Sequence, residues 1–594
     1  MVRVRARFGL IAVASLGLLL SACSGSGSVT TSTNGGGTPV RGGTLYMLGT
    51  GDVDYMDPNI SYYPTGYLGL RMWSRQLLTY PAIPGKTTNA VADLATAVPT
   101  VANGGISPDG LTYKLTIRTG AMWNTEPARQ VTAADMVRGL KRACNPVTPF
   151  GGLSDFEALI VGYQAFCTGF AKVPPNVASI KSYIDSHNIP GLSVDPSNPL
   201  TVVFKLTHPA TYFVNQLAMP VFSPAPVEFL NYLPASAALA QHTLSDGPYE
   251  IQSYVPAQKI VFVRNPAWKA SSDPVRKAYV NEIVVTETGN QTSIQQELET
   301  NTPSADMGFN QNVPTAAIPQ LLAAKNPNLV LGPTFYTLPS IFFNEASPNN
   351  DHALANKVVR QALEYGISRS DLIQDEGGPK VSPPVTQPLP PGIFGSHPMN
   401  LYPYDPQKAK QLLASAVPGG HLNLKLIYQS DVDYNVKMFQ TLQFDLAKIG
   451  VTVTGVGVPS SGYTSKYLSV PSVAKSGVWD MALAIEGPDW YGNGALSMLA
   501  PVFGGAPAFP PNGINYWFYN DPVTNKLIQQ ATVAKTVAQS TPLWAAADTQ
   551  VMKDAAVFPI TSPLAANYHS SAVQNAVYMP VYLQFDPTNV WLRP

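Results

Sequence analysis

The feature that most limits this chain lies at its start, where Arg3, Arg5 and Arg7 precede an apolar run from Phe8 to Leu20 that no later segment matches. A basic segment, an apolar segment too short to span a bilayer and then small residues follow the order of an export signal. No later stretch is apolar for long enough to cross a membrane. The rest of the chain is therefore expected to fold in water outside the cytoplasm, where disulfides persist.

The run ends at Leu20-Ser21-Ala22-Cys23, which resembles a bacterial lipobox. That resemblance implies cleavage after residues 1–22 and acylation of Cys23, several acyl chains holding the protein where one would bind only marginally. A plain secretory signal with an incidental cysteine is the alternative. Residues 23–42 run through Ser, Gly and Thr, a composition that cannot bury enough surface to order itself, and read as a flexible tether. If Cys23 carries lipid, Cys144 and Cys167 remain as an even pair in an oxidising compartment and are expected to form a disulfide; two buried free thiols are the alternative.

Removing residues 1–22 takes away three arginines and no acids, which leaves 34 basic and 37 acidic residues and a formal charge of −3. Nothing in that balance grips nucleic acid. Only 12% of residues are charged, while 55 prolines and 28 tyrosines indicate a loop-rich, aromatic-lined protein suited to neutral or zwitterionic ligands. The length allows about three or four domain-sized units.

Residues 111–118 alternate as a strand with one buried face does, after the turn at Asp109-Gly110. Thr132 and Asp135 form a capping box, with Val131 and Met136 as its hydrophobic staple, for a helix over 133–142. Asp405-Pro406 and Asp521-Pro522 read as N-cap and N1 pairs opening two more helices. Another helix ends at Gly450, and the strand 451–458 follows directly, the connection of an α/β layer. Asp52, Asp54 and Asp57 lack the glycine and terminal glutamate of a calcium loop and read as solvated turn residues.

The order of these segments resembles the family 5 extracellular solute-binding proteins, which include oligopeptide, dipeptide and nickel receptors of ABC importers. The matching residues are Gly43-Thr44-Leu45 leading to Asp52-Val53-Asp54 and Asp57-Pro58, then Asp109-Gly110-Leu111-Thr112-Tyr113 with Trp123, and the run 131–137. Gly247-Pro248-Tyr249, Arg264-Asn265-Pro266, Asn344 with 359–363, and Tyr404-Asp405-Pro406 with Ala409 and Leu412-Leu413 continue the order. Residues 119–131 depart from the family's compact Trp-x-x-Gly turn. The resemblance implies an α/β, two-lobed fold of the periplasmic-binding-protein kind, with a hinge and an extra inserted domain. Mapped here, residues 43–88, 206–334 and 562–594 form the main domain of the first lobe, 89–205 the inserted domain and 335–561 the second lobe.

The same resemblance implies a receptor that catalyses nothing, needs no cofactor or metal, works as a monomer, and passes a peptide-like solute to separate permease and ATPase subunits. It also implies a site. Gly487-Pro488-Asp489-Trp490-Tyr491 follows the core strand expected over 479–485 and looks like the family segment whose aspartate receives a peptide's α-ammonium; here that residue is Asp489. Trp490, Tyr491 and Glu486 are expected on the same wall, with Tyr62 and Tyr63 facing them from the other lobe. A sugar or metal chelate on the same fold is a second reading. A secreted glycosidase or peptidase is a third, although the chain has no H-E-x-x-H, C-x-x-C, G-x-x-x-x-G-K or G-x-S-x-G pattern.

Overall fold

The computed structural model describes residues 32–33, 37–510 and 513–593. The export signal, Cys23 and most of the tether lie outside the described residues. Within the tether, Ser32–Thr33 pairs with Val577 and Ala576 as a short antiparallel strand.

Two five-stranded mixed sheets carry the fold. The first runs in the order Tyr249–Val255, Lys259–Arg264, Glu282–Thr286, Thr44–Leu48 and Met307–Gly308, so the opening strand sits between segments more than two hundred residues away. The second runs Val451–Val458, Leu422–Gln429, Met481–Glu486, Thr337–Phe343 and Val557–Pro559. Its first three strands are parallel and its last two pair antiparallel, which sets helix Asp433–Ala447 as the crossover between Leu422–Gln429 and Val451–Val458. The chain passes between the two sheets after Leu329–Pro333 and returns before Leu564–Tyr568; these two strands pair with each other, and Thr334 Oγ1 donates to the Pro563 carbonyl at 2.7 Å. A third, antiparallel sheet holds Thr112–Thr116, Asn198–Lys205 and Leu192–Asp195. The architecture is α/β with two sheet-centred lobes, as expected.

Local chemistry explains the helix starts. Helix Ala133–Ala143 begins where Asp135 accepts the Thr132 N–H at 3.0 Å, and Val131 and Met136 are both fully buried beside it. Asp405 caps Pro406–Ala416 by accepting from Gln407 and Lys408, and Asp521 caps Pro522–Thr532 by accepting from Thr524. Gly450, at φ +88°, makes the left-handed turn between Asp433–Ala447 and the next strand. Cys144 and Cys167 form the expected disulfide, with Cα atoms 5.4 Å apart. Closing a loop of 23 residues contributes about 3 kcal/mol in the chain-entropy model.

The interior also holds charge. Asp93 bridges Arg75 at 2.8 Å and Arg276 at 2.9 Å, and Arg276 meets Asp273 at 3.3 Å, all with no side-chain exposure. These pairs fasten the helix Pro64–Trp73 and its exit to residues 93 and 273–276 of the same lobe.

Candidate ligand site

The loop before helix Pro64–Trp73 is held by its aspartates, which are therefore not the solvated turn residues the sequence suggested. Asp54 accepts from Tyr55 N–H at 2.9 Å, Tyr62 N–H at 2.6 Å and Ser61 Oγ at 2.7 Å. Asp57 is buried and pairs with Arg142 at 2.6 Å, while Asp52 accepts from Tyr254 Oη at 2.7 Å. A calcium-loop template is silent about donors that arrive from distant segments, and that is why sequence spacing missed these roles. The clamped loop projects Tyr62 edge-on against Phe150, ring centroids 5.4 Å apart. Gly151 and Gly152 leave room for it: a Cβ on either would lie 3.0 Å from the Tyr62 ring.

Asp489 arrives from the other lobe. The buried strand Met481–Glu486 ends just before Pro488, and the Asp489 N–H donates to Ser497 Oγ at 2.9 Å, which holds the turn on helix Ala495–Phe503. Trp490 Nε1 donates to the Asn493 carbonyl at 3.0 Å, and Asn493 Nδ2 reaches across to Thr211 Oγ1 at 2.7 Å. Trp490 and Tyr491 are each 2% exposed; Trp490 packs on Tyr212 and Tyr491 against Phe335. They form the interior backing of the turn that carries Asp489.

The two sides meet where Tyr62 Oη donates to Asp489 Oδ1 at 2.7 Å. Sequence reasoning missed a third member, Asp155, whose backbone carbonyl is fixed by Gln216 Nε2 at 2.9 Å and whose carboxyl faces that of Asp489. No sequence signal marked it, because it sits in a short turn, Leu153–Asp155, more than three hundred residues from Asp489. Burial pushes the Asp155 carboxyl well up, and the charge of Asp489 pushes it further. Burial also raises Asp489, offset in part by the Tyr62 hydroxyl and by Asp155. Two facing carboxyls cannot both ionise freely, so the pair holds one proton between them. Asp155 Oδ2 receives no hydrogen bond from the described residues. Tyr67 and Tyr336 lie within electrostatic range of Asp489, and burial raises both hydroxyls.

Tyr336 also lines a cavity of about 570 Å³ with Asp52, Asp54, Asn310, Asn312 and the exposed Tyr63. Among the described residues, no lysine, arginine or histidine lines it. Glu486, like Asp489, does not line this cavity. It is half-buried and borders a second cavity, of about 230 Å³, under Tyr463 and Tyr516. The structure thus joins Asp489 to Tyr62, places Tyr63 at the larger cavity, Trp490 and Tyr491 behind the turn, and Glu486 in a side pocket.

The family model for "Bacterial extracellular solute-binding proteins, family 5 Middle" matches residues 90–510. The chain is 24% identical over 485 residues to the glutathione-binding protein GsiB of Salmonella typhimurium, covering 80% of this chain and 82% of that one. It is 23% identical to the di/tripeptide-binding protein 4 of Pseudomonas aeruginosa, covering 80% and 83%. Among solved structures, the clavulanic acid biosynthesis oligopeptide binding protein 2 superposes with a TM-score of 0.81 at 22% identity, over 95% of this chain and 97% of that one. The periplasmic binding protein DppA from Helicobacter pylori, in complex with a peptide, gives 0.66 at 22% identity, over 93% and 99%. These proteins bind solutes and are not enzymes, and the chain belongs to the bacterial extracellular solute-binding proteins of family 5.

Proposed function

We propose that this protein captures a small peptide-like solute between its lobes and delivers it to a separate ABC permease with its ATPases. The observation that carries the reading is the Tyr62–Asp489–Asp155 cluster, two facing carboxyls with, among the described residues, one acceptor oxygen lacking a donor and no basic side chain acting on either. An α-ammonium supplies three donors and a positive charge, so it satisfies both carboxyls and displaces the shared proton. The adjoining cavity of about 570 Å³ is in the range of sites that enclose a small ligand, and its amides and tyrosines offer partners to peptide groups.

The lobes are residues 43–88, 206–334 and 562–594 with the inserted domain 89–205, against residues 335–561. Solute bridging Asp489 and Asp155 stabilises the closed form through its differential affinity for the two states. Cys23 carries the lipid that holds a monomer on the extracytoplasmic face of the cell membrane. Incorporation of labelled palmitate by the wild type, lost in Cys23→Ala, tests the anchor; no labelling of the wild type refutes it. The solute class is tested by titrating the purified protein calorimetrically with a di- and tripeptide pool, an oligosaccharide pool and a nickel chelate. Heat from the peptides alone is expected, and saturable binding of only sugar or chelate overturns the reading.

A further inference from the structure

The second cavity poses a question of its own. It is lined by Glu486, Asn435, Gln429, Tyr463 and Tyr516, with apolar walls from residues such as Leu468 and Pro339. Asn435 is 2% exposed, and its Oδ1 receives no hydrogen bond from the described residues, while its Nδ2 is turned to Gln429 Oε1 at 3.4 Å. The Tyr463 hydroxyl is spent on the Leu483 carbonyl at 2.6 Å and cannot serve Glu486. The pocket therefore presents a carboxyl and an amide oxygen that both want donors, and among the described residues no lysine, arginine or histidine lines it. A half-buried carboxyl beside a buried amide oxygen without a donor suits a cation or a proton.

We propose that this cavity is a subsite for the cationic side chain of the bound solute, a lysine-type ammonium or a guanidinium, with Glu486 as counter-ion and Asn435 Oδ1 as second acceptor. The inference rests on the reading of Asp489 as the α-ammonium site. Glu486 closes the strand that leads three residues later to Asp489, and the two carboxyls lie within electrostatic range of each other, so the pocket is the neighbouring place for a side chain of a peptide anchored at Asp489. The apolar walls suit the methylene stem of such a side chain, and the Tyr516 ring suits the face of a cation. In the absence of a cation, burial and the charge of Asp489 push the Glu486 carboxyl up to about 8, so it holds a proton that an arriving cation replaces.

The experiment is calorimetric titration of the full-length protein with alanine tripeptides carrying lysine, or its uncharged isostere norleucine, at each position in turn. The wild type is expected to favour lysine over norleucine at one position by about tenfold or more. In Glu486→Gln that ratio is expected to fall towards one. Wild type that binds lysine and norleucine peptides equally at every position overturns the subsite while leaving the peptide receptor standing. Wild type that binds none of the tripeptides removes both. The wild-type comparison decides the matter even if the variant does not fold.

Discussion

The Tyr62 hydroxyl donates to Asp489 Oδ1 at 2.7 Å, a bond between residues 427 positions apart that joins the two lobes at the acidic cluster. Hydrogen bonds to charged groups contribute about 1.5–3 kcal/mol, more than neutral ones. Tyr62→Phe keeps the ring against Phe150 and removes only the donor. It is expected to weaken binding of a free-amine peptide about tenfold or more in calorimetry. Unchanged affinity would show that the bond is incidental to the site.

A second expectation concerns pH. Glu486 is raised from 4.5 to about 8 by burial and Asp489, and its field reaches Tyr463 and Tyr516. Between those values the folded protein holds a proton that the unfolded chain has lost. This contribution to stability is complete below the unfolded pKa and disappears as pH rises through the folded one. Glu287, raised to about 8 by burial and Asp52, acts in the same direction. Ligand-free protein is therefore expected to show a falling Tm from pH 5 to pH 8, with a shallower fall in Glu486→Gln. A Tm that rises over this interval contradicts the assignment.

Much of this arrangement was legible before the structure. Helix starts at Thr132, Asp405 and Asp521 follow from local capping chemistry, which needs no distant partner, and the pairing of Cys144 with Cys167 follows from parity and compartment. Asp489 could be singled out because it sits in a motif after a core strand. Asp155 was not, because its role exists only once the turn at residues 153–155 is folded against a segment from the other lobe. The ion pair of Asp57 with Arg142 was hidden for the same reason. Glu486 lies within electrostatic range of Asp489, and its side chain borders a cavity that strand alternation alone did not reveal.

The Asp57–Arg142 pair supplies a third prediction. Both side chains are 2% exposed, and the guanidinium also donates to Asn59 Oδ1 at 2.8 Å, so the pair fastens the Tyr62 loop to helix Ala133–Ala143. Removing one partner leaves a buried charge uncompensated, at a cost of about 3–5 kcal/mol. Arg142→Ala is expected to lower the urea midpoint accordingly. A loss below about 1 kcal/mol, the usual size for an exposed pair, would show that water reaches Asp57.

The central claim, that Asp489 with Asp155 receives the α-ammonium of a peptide, is tested most directly by comparing free and N-acetylated forms of one peptide on wild type and Asp489→Asn. Wild type is expected to bind the free peptide and to lose the acetylated one. Asp489→Asn is expected to weaken binding of the free peptide by about 1.5–3 kcal/mol without lowering the thermal stability of the ligand-free protein. Equal affinity of the wild type for the free and acetylated peptides would contradict the account.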